Sequence, residues 1–228
     1  MKRKQTVKSA FGILVLVLAL VGPGVIAWAS KVSASGREGD VVQAAPWLCA
    51  FIVLIAVVWF LGVHAAGRTS QSVGLVWPPT KMTFLVAAAL TAFFVLIYGP
   101  LIYQMLTRLG SGAFEQGQAS LASLPTWYLV LAIIVVAGGE EWLYRGFAIP
   151  VLEDLTGNTW LAAAISLLAF GLVHMPLWGI GASLSTLVAG AVFTAFFLWR
   201  RDVTSLIAAH IAVDLYGLVV APMLARTS

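Results

Sequence analysis

The chain is dominated by apolar runs long enough to cross a bilayer. A hydrocarbon core of roughly 30 Å needs about 20 apolar residues in helical form. The candidate spans are Phe11 to Trp28, Trp47 to Ala66, Phe84 to Gln104, Trp127 to about Leu155, Trp160 to His174, Trp178 to Trp199, and Val203 to about Val220. The last is expected to stop before Pro222, which cannot continue a helix without losing a hydrogen bond. Of the 228 residues, 61% are hydrophobic and 10% charged. A soluble domain carries roughly 45–50% apolar and about 25% charged residues, so a soluble enzyme and a disordered protein are both excluded. The expected fold class is all-α, a polytopic membrane helix bundle of about seven transmembrane helices.

The formal net charge is +4, from 13 Lys and Arg against 9 Asp and Glu. These basic residues lie in loops, where they set topology, and form no stripe interleaved with aromatics, so no nucleic acid is expected as a partner. The partner expected on these grounds is the lipid bilayer. With the N-terminus cytoplasmic, the inside segments hold Lys2, Arg3, Lys4, Lys8, Arg68, Lys81, Arg200 and Arg201, and the outside ones Lys31, Arg37, Arg108 and Arg226. That asymmetry favours an N-in, C-out orientation. The first span follows a basic flank and carries Ala27-Trp28-Ala29, which looks like a signal-peptidase site. It is read as a retained anchor, because the rest of the chain is also membrane-embedded. Cys49, the single cysteine, is expected to be a small packing residue. His64, Trp127, Tyr128 and Trp178 are read as interfacial. The polar stretch Thr107 to Ser123, with Gly110, Gly112 and Gly117, is read as a connector, with a lid over the site as the alternative.

The ionisable residues inside apolar spans carry the information. A charged side chain at a helix centre costs about 2.5–3.5 kcal/mol on insertion scales, so a cluster of them needs a compensating network and usually a function. The fourth span contains Gly138-Gly139-Glu140-Glu141-Trp142-Leu143-Tyr144-Arg145, the fifth ends in Phe170-Gly171-Leu172-Val173-His174, and the seventh contains His210-Ile211-Ala212-Val213-Asp214. Glu141 and Arg145, four apart, share a helix face and can pair. Glu140 is turned about 100° away and left free to take up a proton, as a general base must. His210 and Asp214 share a face, and Phe170 is placed to pack beneath His174. Glu140 lies roughly 22 Å from the end that the fourth and fifth spans share, and His174 roughly 21–25 Å from it, so the two come out level. Asp214 lies roughly 18 Å into its own span, with His210 about one turn shallower. Each pair also has a structural reading: Glu141 with Arg145 as an internal ion pair, His210 with Asp214 as an interhelical tether.

The order E-E-x-x-x-R (Glu140 to Arg145), F-x-x-x-H (Phe170 to His174) and H-x-x-x-D (His210 to Asp214), in successive spans, resembles the CAAX-protease and bacteriocin-processing (CPBP) family of intramembrane glutamic endopeptidases. The resemblance implies a catalytic helical core over 125–222, preceded by variable N-terminal transmembrane helices and loops over 1–124. It implies a peptide hydrolase of a bacterial cell membrane, integral and multi-pass, that acts on a membrane-associated or lipidated peptide or protein and needs no cofactor and no metal. Glu140 would activate water held with His174, Glu141 and Arg145 would orient the site and the substrate backbone, and His210 and Asp214 would stand at the oxyanion. Prenyl-processing members usually have Asn where this chain has Asp214. An ionised Asp cannot donate to an oxyanion, so Asp214 is either protonated or holds His210 in a donor tautomer, and the second is the expectation.

Three rival readings remain. One is a zinc-dependent membrane protease ligated by His174, His210 and a Glu, against which stands the absence of H-E-x-x-H. Another is a non-catalytic membrane scaffold or bacteriocin-immunity protein of the same fold. The third is a proton-coupled transporter, which the lack of internal repeats disfavours.

Overall fold

A computed structural model describes residues 10–33, 40–110 and 112–227. All regular structure among them is helical. The helices are α1 (Ala10–Ser33), α2 (Val41–His64), α3 (Lys81–Arg108), α4 (Gly112–Ala122), α5 (Thr126–Thr156), α6 (Thr159–Val173), α7 (Met175–Arg200) and α8 (Val203–Leu224). Six of these, all but α4 and α6, are long and apolar enough to cross a membrane, so the chain is an integral, multi-pass membrane protein. The expected all-α bundle of about seven helices is compatible with this, the seventh apolar helix being the shorter α6, whose 15 residues reach roughly 22 Å. Its C-terminus delivers His174.

Local sequence explains most helix ends. Thr156-Gly157-Asn158 makes the sharp turn between α5 and α6. Gly157 takes φ +68°, and the Asn158 side chain accepts from the backbone N–H groups of Trp160 and Leu161 at 3.0 and 3.1 Å. Asp202 caps α8 through Ser205 N–H at 3.1 Å and also accepts from Thr83 at 2.8 Å, tying α8 to α3. Pro222 does not end α8. The backbone widens into π geometry over Tyr216–Val220, and the helix continues through the proline. α7 likewise begins at Met175 rather than Trp178 and breaks at Gly179, whose φ of +77° only glycine adopts freely.

α5 is the central helix. Every residue from Glu141 to Ile149 is buried, and Trp142–Ala148 is a π segment. α1 and α2 pack on one flank of it, α6 packs on another with α7 behind it, and α8 lies between α5 and α3. Val15, Leu16 and Ala19 of α1 belong to the same core as Leu143, Phe147 and Ile149. At one end of the bundle Arg68 pairs with Asp154 at 2.7 Å, and Arg201 makes a bidentate pair with Glu153, both contacts at 2.6 Å.

Some sequence expectations give way to packing. Cys49 is exposed on the apolar exterior instead of filling the interior. Tyr128 is buried, so only its neighbour Trp127, 64% exposed, fits an interfacial belt. His64 is exposed at the end of α2 and stacks on Phe60. The stretch read as a connector contains α4, which packs on α7 and on the π segment of α8.

Candidate active site

Glu140, Glu141 and Arg145 lie where α5 passes into its π segment. Such bulges realign a helix face and occur often at functional sites. Here Ser166 of α6 donates to the Tyr144 carbonyl at 2.6 Å, which anchors the segment.

Arg145 forms the floor. Its guanidinium donates to Glu141 Oε1 at 3.0 Å, to the Gly190 carbonyl at 3.1 Å and to Thr194 Oγ1 at 3.4 Å, and it stacks 4.0 Å over the Phe170 ring. The Arg145 side chain is 1% exposed and that of Glu141 0%. An ion pair so fully desolvated must be held by further polar partners, and α7 supplies them. Gly190 is required by space, since a Cβ there would lie 2.9 Å from Arg145 Nη2, Leu167 and Phe170. The motif reading missed Gly190 and Thr194. The signal for them is a pair of small residues four apart in an apolar helix, the usual mark of a close helix contact.

Glu141 Oε1 also accepts from His210 Nδ1 at 3.0 Å. His210 Nε2 lies 3.6 Å from Asp214 Oδ2, and the His210 ring packs on Phe193. Glu141 is thus the nearer orienting partner of His210, a role the sequence reading gave to Asp214. The second oxygen of Glu141, Oε2, is buried and has no donor among the described residues.

His174 caps α6. Its Nδ1 is 2.7 Å from the Phe170 carbonyl, which can only accept, so Nδ1 carries the proton. In the neutral ring Nε2 then presents a lone pair. It faces Glu140 Oε1 at 3.9 Å. The gap is too long for a hydrogen bond and lets one solvent molecule reach both groups. Phe170 meets the His174 ring edge-to-face at 4.8 Å, as its spacing predicts.

The site is graded in exposure. Glu141 and Arg145 are sealed, while the side chains of Glu140, His174 and His210 are 13%, 16% and 17% exposed and that of Asp214 35%. All six sequence-selected residues therefore belong to one connected cluster built from α5, α6 and α8. The adjacent glycines do not open it: Gly139 packs under Ile55 and Phe51 of α2, and Gly138 meets only ordinary contacts from Ile207 and Ile211. Among the described residues no group of three or more His, Cys, Asp or Glu has the placement of a metal site.

Residues 122–216 match the family model described as Rce1-like, type II CAAX prenyl endopeptidase Rce1-like. No curated protein and no solved structure matches the chain.

Proposed function

We propose that this chain, Rce1-like over residues 122–216, is an intramembrane endopeptidase that hydrolyses a peptide bond of a membrane-associated or lipidated peptide with water activated by Glu140. At family level the match is to a CAAX-type protease; the mechanism rests on the site geometry. The observation that carries it is Glu140 facing the Nε2 of a tautomer-fixed His174 across 3.9 Å, one residue from a carboxylate already neutralised by arginine.

In this mechanism water donates one hydrogen bond to His174 Nε2 and gives a proton to Glu140 as its oxygen attacks the substrate carbonyl carbon. The carbon–oxygen bond forms, and negative charge develops on the former carbonyl oxygen. Stabilising that charge requires a proton on both His210 nitrogens, Nδ1 donating to Glu141 and Nε2 towards that oxygen or Asp214. Collapse of the tetrahedral intermediate breaks the carbon–nitrogen bond, and Glu140 returns its proton to the leaving amine. Arg145 does not touch substrate in this scheme. It keeps Glu141 ionised and aimed at His210.

The deciding experiment compares membrane-protein C-termini by proteomics in cells carrying wild type or Glu140→Ala. Products present only with wild type are expected. Identical C-termini would refute proteolysis, and an intact biological role in Glu140→Gln would point to a scaffold. In proteoliposomes, activity is expected to resist EDTA, whereas a zinc protease would lose it.

A further inference from the structure

Helix α1 lies outside the family-matching region, yet it reaches the site at three places. Lys31 Nζ donates to the Pro176 carbonyl at 2.6 Å. The Gly179 break interrupts helical geometry just beyond Pro176, and the ammonium caps the carbonyl there. Gly24 lies against Val173 so closely that a Cβ on it would sit 2.9 Å from Val173 Cγ1 and 3.4 Å from its Cα. The buried Tyr144 donates from its hydroxyl to the Leu20 carbonyl at 3.1 Å. Its ring meets Phe170 edge-to-face at 5.2 Å, and the Phe170 carbonyl fixes His174 Nδ1. One helix thus holds the residues on both sides of His174 and, through Tyr144, the residue that sets its tautomer.

We propose that α1 is a positioning element of the site, with Lys31 and the Tyr144 to Leu20 tie holding His174 in its Nδ1–H tautomer facing Glu140. This rests on the protease reading for its purpose, though not for its test. None of these groups touches the reacting atoms; each acts through the turn that bears His174. It follows that α1 stays in the working protein, since cleavage after Ala29 would remove Leu20 and Gly24 from the bundle.

The test is nitrogen-15 NMR of the full chain labelled at histidine, in nanodiscs, with the His174 signal assigned by its loss in His174→Gln. Wild type is expected to show His174 as a single Nδ1–H form. In Lys31→Met with Tyr144→Phe that signal is expected to become an exchange-averaged mixture of tautomers, while the His210 signal stays in place. Lys31→Arg, paired with native Tyr144, should restore the wild-type pattern. Two results would overturn the proposal: a His174 signal unmoved in the double variant, or a His210 signal displaced as much as that of His174, which would mean general loosening. The protease reading fails separately, through an active Glu140→Gln enzyme, and that outcome leaves the imidazole measurement intact.

Discussion

At the scale of single residues, the two adjacent glutamates differ in everything but chemistry. Glu141 is sealed against Arg145 and His210, while Glu140 faces the accessible side beside His174. Glu140→Gln is therefore expected to fold normally and lose about 10²-fold or more in cleavage rate, measured on purified protein in proteoliposomes. Arg145→Leu should behave differently. It leaves Glu141 buried with no guanidinium, a loss of about 3–5 kcal/mol in unfolding measurements. Adding Glu141→Leu should recover part of that loss, because a buried ion pair is replaced by apolar contact. No recovery in the double variant would mean that Glu141 is neutral in the folded protein. That these six residues come together was legible from motif spacing. Their division into a sealed floor and an accessible rim was not, because spacing on one helix says nothing about what a neighbouring helix places above it.

At the scale of elements, close helix contacts depend on side chains that are absent. Gly139 and Gly138 are adjacent, but only Gly139 lies under α2. Gly139→Ala should destabilise by about 1–3 kcal/mol through overpacking, whereas Gly138→Ala should stay within about 0.5 kcal/mol of wild type. Gly190→Ala should match the first in stability and also reduce activity, since the new methyl group pushes on the guanidinium. Thermal unfolding in detergent, paired with the cleavage assay, separates the two effects. Helix ends show the same division between local and distant causes. The Gly157-Asn158 turn is written in local chemistry, while the run of α8 through Pro222 depends on a π segment that no residue pattern announced.

At the scale of the whole molecule, Lys2, Arg3, Lys4, Lys8 and Arg37 of the topology set lie outside the described residues, while Arg68, Arg201 and Lys31 fall at two ends of the bundle. Arg68 and Arg201 sit at the end of the bundle where α5 meets α6, paired with Asp154 and Glu153. Lys31 marks the other end, against Pro176. With the N-terminus cytoplasmic, a cysteine placed at Lys81 in a Cys49→Ser background should react with impermeant maleimide only from the cytoplasmic side. One placed at Gly112 should react only from the opposite side. The reverse pattern would invert the orientation. Helix α4 belongs to this scale too: a Cβ on its Gly117 would lie 2.7 Å from the Trp178 ring, and its Ala113 faces the Gly179 break of α7.

By itself the sequence determined that this chain lives in a bilayer, roughly where its apolar helices fall, and which few charged groups it carries into them. Those are one-dimensional properties: hydropathy over a helix length, and charge at a known depth along it. The tertiary structure alone decided that Glu141 rather than Asp214 is the nearer partner of His210, which tautomer His174 adopts, and that α1 and α7 close around the site. Those outcomes depend on contacts between residues far apart in the chain. Leu20 meets Tyr144 and Gly190 meets Arg145 only after helices of complementary shape have packed.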